Sequence, residues 1–210
     1  MVTDRARCDG ADRLVEIVGH AAKAGVHLVQ VRERDLDAKP LYELVRRCVA
    51  AVDGTRTRVL VSDRFDIAIA AGAHGVHLPS DGVPARRLRS MSPRGFLIGR
   101  SVHALEEASA AVRDGAVDFL VFGTVFNSSS KPGVTPAGLD ALRAVSASVP
   151  VPVLGIGGIT LDRIRSIASA GASGVAAIGL FVDAATHGVE RVQTVVSHAS
   201  LAFDTPRDVP

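Results

Sequence analysis

The chain has 210 residues, a formal net charge of +2 at pH 7, and hydrophobic residues at 47% of its positions. This length suits one well-buried domain, and the small net charge without a dense Lys/Arg stripe argues against nucleic acid as the main partner. No signal peptide opens the chain and no apolar run is long enough to span a bilayer, so we expect a cytoplasmic protein without a membrane partner. Cys8 and Cys48 match no metal-ligand or redox spacing, which favours free thiols.

Short apolar runs alternate with amphipathic helical patterns along the chain. The predicted strands are Met1–Asp4, His27–Arg32, Arg58–Val61, Gly75–Leu78, Phe96–Ile98, Phe119–Phe122, Val151–Leu154 and Gly174–Ile178. The predicted helices are Ala11–Ala24, Pro40–Val52, Phe65–Ala71, Pro84–Ser90, Ala104–Asp114, Pro136–Ser148, Leu161–Ala170 and Val189–Leu201. Runs without strict alternation are typical of parallel strands that helices cover on both sides.

A weak internal repeat indicates how these units are arranged. A glycine follows a helix and precedes a strand four times, at Gly25, Gly72, Gly115 and Gly171. Glycine at this position caps a helix in the left-handed conformation. Eight strand–helix alternations with such caps predict an α/β fold of the closed (β/α)8 TIM-barrel type. We expect one compact domain over residues 1–202 and a frayed tail over 203–210.

In a TIM barrel the chemistry lies where strands end, so strand-end residues are the site candidates. The second predicted strand ends with Gln30 and Arg32, which alternation points to the same side. Arg32 either binds a ligand or forms a buried ion pair with a carboxylate such as Asp63. The third predicted strand ends with Ser62 and Asp63, where the aspartate can bind metal, orient a base or cap the next helix.

Two histidines follow the next strands. His77 lies within an apolar run, which favours a core histidine, and Ser80 and Asp81 after it are suited to capping the following helix. Ser101 and His103 follow the fifth predicted strand at a helix start. Histidine exchanges protons near neutral pH more readily than other side chains, so we predict an acid/base role for His103. A capping or rim histidine is the alternative.

Hydroxyls, a lysine and glycines follow the last three strands. Ser128, Ser130 and Lys131 belong to a loop that either closes over an anionic ligand or is an ordinary polar loop. Glycine turns after the seventh and eighth strands of a barrel are the usual place for a phosphate. The predicted phosphate site therefore consists of Gly157, Gly158, Ile178 and Gly179.

Together these residues resemble the thiamin phosphate synthase/TenI superfamily from Val2 to about Gly188. The shared pattern comprises Val31–Glu33, Asp63–Arg64, Gly75–Leu78, the Ser128–Lys131 loop and Gly155–Ile159. In the synthases two aspartates hold the magnesium that binds a pyrimidine pyrophosphate. Here the second metal position falls on Gly82, with Asp81 one residue early, and Ser62 replaces an asparagine.

The run from Gly99 to Ala108, with Arg32–Arg34 and His77–Ser80, is closer to the TenI type. The resemblance thus implies a thiazole tautomerase of thiamin biosynthesis. In that enzyme His103 moves a proton on a carboxythiazole phosphate, with no metal or other cofactor and with Gln30, Arg32, Ser62, Asp63, Ser101, Ser128, Ser130 and Lys131 around the substrate. The alternatives are a magnesium-dependent thiamin phosphate synthase, which the Ser128–Lys131 loop favours, and a non-catalytic barrel that senses a thiazole or phosphate ligand. The expected partner is a small thiazole phosphate, and a homodimer is left open.

Overall fold

A computed structural model describes residues 1–128 and 133–204. Within these ranges seven strands form one sheet: β1 (Leu28–Val31), β2 (Arg58–Ser62), β3 (Gly75–Leu78), β4 (Leu97–Val102), β5 (Phe119–Gly123), β6 (Val153–Ile156) and β7 (Gly174–Ala176). Each strand pairs in parallel with its neighbour in sequence, in the order β1 to β7. The second to eighth predicted strands are thereby confirmed as elements of a parallel α/β fold.

The helices lie between the strands and after the last one. They are α1 (Ala11–Lys23), α2 (Ala38–Ala51), α3 (Phe65–Ala70), α4 (Ala85–Arg89), α5 (Leu105–Arg113), α6 (Gly138–Ser148), α7 (Ile164–Ser169), α8 (Gly179–Thr186) and α9 (Val189–Asp204). Two short 3-10 helices, Arg5–Arg7 and Leu161–Arg163, complete the described elements. Helix α8 was absent from the prediction, since its nearly continuous apolar sequence has no clear polar face.

The first predicted strand, Met1–Asp4, is corrected to a single bridge. Val2 forms a parallel bridge with Gln30 of β1, and its amide donates to the carbonyl oxygen of Ala177 beyond β7 at 2.9 Å. The sheet therefore curls until both of its edges meet at Val2. The described chain shows a seven-stranded curled sheet with this junction, and the eighth strand of a complete barrel is not among its elements.

The sheet separates two hydrophobic clusters. The larger one fills the space between the sheet and the helices, and both cysteines lie in it as free, buried thiols, as predicted. The smaller one lies inside the curl and contains Val2, Leu60, Phe119, Val121 and Ala176. All four glycines of the internal repeat have positive φ, which confirms their left-handed caps.

Two cavities open inside the curl. A cavity of about 350 Å³ lies at the amino ends of the strands, among Leu28, Leu60, Phe119 and Leu154. We call it the amino-end cavity. A second one of about 300 Å³ lies where the strands end and is called the carboxyl-end cavity. Among residues 1–128 and 133–204, no helix has the length and apolar character needed to cross a bilayer.

Candidate functional site

The carboxyl-end cavity collects most of the predicted site residues. It lies at the ends of the strands, where a parallel α/β fold presents its chemistry. The predicted residues that line it are Gln30, Arg32, Ser62, Asp63, Ser101, His103, Gly157 and Ile178. They come from five different places in the sequence, so the curl of the sheet and the parallel register bring them together.

Five predicted residues are not among those that line this cavity. Ser130 and Lys131 lie outside the described residues. Ser128, Gly158 and Gly179 are described but do not line it. A Cβ on Gly158 would come within 2.3 Å of the carbonyl oxygen of Asn127, so the position faces the neighbouring loop. Gly179 begins α8 beside the ion pair of Arg7 with Asp183.

The two arginines after β1 give the cavity its positive charge. Arg32 and Arg34 both line it, one half-buried and the other exposed. Neither side chain forms an ion pair with any residue in the described ranges, so the expected alternative of an Arg32–Asp63 pair is wrong. Burial, followed by the repulsion of Arg34, lowers the pKa of Arg32. A partly desolvated cation without a partner favours an anionic ligand.

Glu33, between these arginines, has a different role. It is buried on the other side of the chain, where Thr3 Oγ1 donates to it at 2.5 Å and the amide of Arg5 donates at 3.1 Å. Burial raises the pKa of Glu33, and these hydrogen bonds oppose that shift. Neighbouring residues of an extended chain face opposite ways. In the Arg32–Arg34 run, Glu33 therefore holds the N-terminal segment by hydrogen bonds, while the two arginines face the cavity.

Two carboxylates line the carboxyl-end cavity. Asp63 follows β2 with φ of +62°, a left-handed conformation that aspartate tolerates better than most residues. Asp81 is exposed in the loop after β3 and also lines the cavity. The cap residues of α3 and α4 are Arg64 and Pro84, without a side-chain cap bond, so the capping roles predicted for Asp63, Ser80 and Asp81 are not found.

The loop after β3 explains why Asp81 reaches the cavity. The amide of Gly82 donates to the carbonyl oxygen of Pro79 at 3.2 Å, which closes a tight turn. A Cβ on Gly82 would lie 2.9 Å from the Pro79 ring, so this position has no room for a side chain. The turn therefore directs Asp81, and not the residue after it, to the cavity wall.

The donor set fits magnesium bound together with a substrate. Within residues 1–128 and 133–204 no cluster of three or more His, Cys, Asp or Glu side chains can hold a metal ion. Mg²⁺ is usually held by one or two carboxylates, with substrate phosphates and waters completing its coordination. Asp63 and Asp81 supply those two carboxylates, so the residues present fit a magnesium ion that arrives with a phosphorylated substrate.

Hydroxyl groups connect neighbouring strands around this wall. Gln30 Nε2 donates to Ser62 Oγ at 2.6 Å. His77 Nε2 lies 2.8 Å from Ser101 Oγ, and both residues line the cavity. Burial, followed by the charge of Arg100, lowers the pKa of His77 to about 4. His77 is thus a buried histidine, as predicted, that also contacts the candidate site.

His103 lies at the exposed rim of the cavity, immediately after β4. Its amide donates to Glu107 Oε2 at 2.8 Å, and its ring nitrogen Nδ1 is hydrogen-bonded to the carbonyl oxygen of Gly123. A carbonyl only accepts, so Nδ1 carries the proton and a neutral ring keeps Nε2 as an acceptor. That arrangement suits a base.

Sequence reasoning gave no ligand role to Arg34 or His77, and it left open whether Asp81, one residue before the metal position, could serve as a metal ligand. The signal for Arg34 was its spacing of two from Arg32, which places both on one face of an extended chain. The signal for Asp81 was the Pro79–Gly82 turn. His77 lies in β3, where alternate residues face the same side of the sheet. Only the curl of the sheet shows that the side of His77 lines a cavity.

Comparison with known proteins points to one family. The family model described as thiamine monophosphate synthase (TMP-TENI) matches residues 1–181. A Geobacter sulfurreducens protein named putative thiamine-phosphate synthase is 43% identical over 183 residues, which are 87% of this chain and 85% of the relative. The Aquifex aeolicus protein named putative thiamine-phosphate synthase 2 is 37% identical over 182 residues, 87% of this chain and 96% of the relative.

A solved structure gives the same result for the fold. The thiamine phosphate pyrophosphorylase from Pyrococcus furiosus superposes with a TM-score of 0.80 at 30% sequence identity. The match covers 94% of this chain and 94% of the other. The similarity therefore extends over the whole sheet and the helices around it.

Proposed function

The chain belongs to the thiamine monophosphate synthase family, and from that premise we propose that it couples a pyrimidine pyrophosphate to a thiazole phosphate to form thiamin phosphate. Relatives that match most of the chain carry the name of this activity. The synthase, a transferase of thiamin biosynthesis, therefore takes precedence over the tautomerase that the TenI-like run from Gly99 to Ala108 favoured.

One observation carries the proposal: two unpaired arginines and two carboxylates line the same cavity. Arg32 and Arg34 form no ion pair within the described chain, and Asp63 and Asp81 line the same cavity. A carboxylate carries one negative charge, and a monophosphate carries up to two. A pyrophosphate carries several negative charges, and both cations together with a magnesium ion match that charge.

The chain's own residues have distinct roles in such a coupling. Arg32 and Arg34 bind the pyrophosphate and hold it while it leaves. Asp63 and Asp81 would hold a magnesium ion, which would supply neutralisation of the charge on a leaving pyrophosphate. The nitrogen of the thiazole then forms the new bond to the carbon from which pyrophosphate departs. Gly157 also lines the cavity with φ of +102°, and a Cβ there would collide with Thr124.

The decisive test uses purified protein in two assays. We expect thiamin phosphate from pyrimidine pyrophosphate and thiazole phosphate with added magnesium, and no product in EDTA. Asp81→Asn should abolish this activity, whereas Asp53→Asn, a matched change of an exposed aspartate outside the cavity, should not. Absence of magnesium-dependent product from folded protein would overturn the synthase proposal.

The tautomerase is the second candidate, and the geometry of His103 favours it. With Nδ1 donating to Gly123, Nε2 is an acceptor at the cavity rim, where one imidazole can remove a proton from a thiazole ring and return it. This function predicts conversion of the exocyclic carboxythiazole tautomer that survives EDTA and falls about 100-fold in His103→Gln. Under the synthase proposal that conversion does not occur.

The complete eight-stranded barrel is part of the same proposal. The contacts of Val2 with Gln30 and Ala177 support a closure in which the first residues occupy the eighth strand position. The localisation in the cytoplasm and a homodimer stay predictions, as does the phosphate site at Gly157, Gly158, Ile178 and Gly179.

A further inference from the structure

We propose that Arg100 is a positioning residue, whose guanidinium holds the loop from Pro79 to Val83 in the conformation that places Asp81 at the carboxyl-end cavity. The hold on the loop rests on the structure alone. Its consequence for metal binding rests on the proposed function, in which Asp81 is one of the two carboxylates assigned to magnesium.

Arg100 lies in β4 and points away from the cavity. Alternation places it on the same face as Ile98, which belongs to the hydrophobic cluster between the sheet and the helices, whereas Ser101 lines the cavity. Arg100 pairs with Leu78, the last residue of β3. Its side chain therefore starts beside the point at which the Pro79–Val83 loop leaves the sheet.

Three carbonyl groups of this loop accept hydrogen bonds from the guanidinium. Arg100 Nη1 donates to the carbonyl oxygen of Ser80 at 3.2 Å. Nη2 donates to the carbonyl oxygen of Gly82 at 3.3 Å and also to that of Val83. These carbonyls lie on both sides of Asp81 in the sequence, so the backbone is held before and after the carboxylate.

The guanidinium is suited to this role and has no other partner that would explain its place. It is half-buried and forms no ion pair with a carboxylate of the described chain. A partly buried cation needs hydrogen bonds to replace lost water. A guanidinium has five N–H donors in a rigid fork, so one group can hold several carbonyls at once.

The loop contributes little hydrogen bonding of its own. Among the described residues, one backbone hydrogen bond joins two of its members, from the Gly82 amide to the Pro79 carbonyl oxygen. That bond closes the turn, but it does not attach the turn to the sheet. Arg100 makes the attachment, because it belongs to β4 and binds the carbonyls after the turn as well as within it.

The sign of the effect on metal binding separates this role from a purely electrostatic one. A cation repels a bound divalent metal ion nearby. If Arg100 acted through its charge alone, its removal would tighten metal binding. Loss of a positioning residue should instead weaken it, because the Asp81 carboxylate is no longer held at the cavity.

Amide hydrogen exchange tests the hold on the loop without ligand or activity. Arg100→Met keeps an apolar stem and removes the donors. We expect the Gly82 amide to exchange at least about tenfold faster in this variant, while the amides of β3 keep their wild-type rates. Wild-type exchange at Gly82 in Arg100→Met would overturn the proposal, whether or not the protein makes thiamin phosphate.

Arg89→Met is the matched control. Arg89 also donates to carbonyl groups, those of Phe96 and Ala116, but these precede β4 and β5 at the other end of the sheet. Its loss should leave exchange at Gly82 unchanged. Should Arg100→Met not fold, Arg100→Lys replaces it. Lysine keeps the charge without the fork, so faster exchange at Gly82 is again expected, and an unchanged rate would again overturn the proposal.

Electron paramagnetic resonance of Mn²⁺, added in place of Mg²⁺ with inorganic pyrophosphate, tests the consequence. Arg100→Met should weaken Mn²⁺ binding about tenfold, and in an Asp81→Asn background it should cause no further loss. Unchanged or tighter binding, or an equal loss in both backgrounds, would overturn the positioning of Asp81. Absence of Mn²⁺ binding by the wild type would overturn the metal consequence together with the synthase proposal, and exchange at Gly82 would still decide the hold on the loop.

Discussion

The inside of the curled sheet holds two cavities of similar volume, about 350 Å³ at the amino ends of the strands and about 300 Å³ at the carboxyl ends. Both reach Val2, Gln30 and Val121, so they are halves of one interior. Their walls differ. Leu28, Leu60, Phe119 and Leu154 dominate the first, whereas arginines, aspartates, hydroxyls and histidines dominate the second.

On β1 and β2 the change from apolar to polar occurs along the strand itself. On β1 the inward residues run from Leu28 through Gln30 to Arg32, and on β2 from Leu60 to Ser62. Two residues of strand span about 7 Å, so the interior becomes polar within roughly two layers of side chains. The comparison teaches that one face of a strand can serve as hydrophobic core at one end and as binding surface at the other.

Removing an apolar side chain from the amino-end cavity should have the largest effect, and this effect is on stability. Leu60 is 1% exposed and belongs to the inner cluster. We expect Leu60→Ala to lower the free energy of unfolding by about 2–5 kcal/mol, since it creates a cavity beside an existing one. Urea unfolding measures the change. Ser62→Ala, two residues along the same strand, is the control, with a much smaller expected loss. Equal losses would mean that the two ends do not differ in their contribution to stability.

Removing a carboxylate from the polar end should come next and should change activity rather than stability. In Asp63→Asn the asparagine has nearly the same shape and also adopts the left-handed backbone conformation, but it binds magnesium more weakly than a carboxylate does. We expect kcat for thiamin phosphate formation to fall at least about 100-fold. Asp66→Asn, an exposed residue paired with Arg64, is the matched control and should leave kcat unchanged. Activity in Asp63→Asn close to wild type would exclude that carboxylate from the metal site.

A smaller effect is expected for a cation of the polar end. Arg32→Gln removes a charge that has no ion-pair partner in the described chain, so folding should lose little while pyrophosphate affinity falls about tenfold. Titration calorimetry and urea unfolding separate the two effects. Arg47→Gln removes an exposed arginine that pairs with Asp12 on the outer helices, and it should alter neither the affinity nor the fold. If Arg32→Gln destabilises the protein and leaves the affinity intact, Arg32 is structural.

The smallest effect concerns the larger hydrophobic cluster between the sheet and the helices, which we call the outer core. Neither of its cysteines lines the amino-end or the carboxyl-end cavity. Burial raises the pKa of Cys8 to about 11 and that of Cys48 to about 12, so neither is a thiolate at pH 8. We expect no reaction of the native protein with an aromatic disulfide reagent at pH 8, and two thiols per chain after unfolding in urea. One fast thiol in the native protein would show that the outer core opens near that cysteine.

Periodicity was sufficient to predict the strands from His27 onward, because buried parallel strands are short apolar runs with clear breaks. It did not reveal that β4 continues to Val102, since Arg100 and Ser101 interrupt the apolar run while the ladder to β5 persists. For the site, strand ends identified Arg32, Asp63 and His103, since any barrel-like sheet gathers its strand ends.

The remaining site residues depend on local conformation that spacing does not contain. The Pro79–Gly82 turn directs Asp81, and the register of β3 and β4 joins His77 to Ser101. Gly158 is a different case. Its predicted phosphate contact uses the backbone N–H and stays a prediction, whereas a side chain there would collide with the Asn127 carbonyl. A substitution at Gly158 therefore disturbs the loop and does not test ligand binding.

The junction at Val2 also has a consequence for how the chain folds. Every pairing within the sheet joins strands that are adjacent in sequence, so those contacts form by closing short segments. The hydrogen bond of Val2 with Ala177 instead joins nearly the whole length of the chain. Loop-closure entropy and contact order both make such a contact late and slow. The sheet can thus assemble progressively from neighbouring strand–helix units. Its two edges meet only when the other strands are in place. These edges carry the first and the last of the polar strand ends that line the cavity.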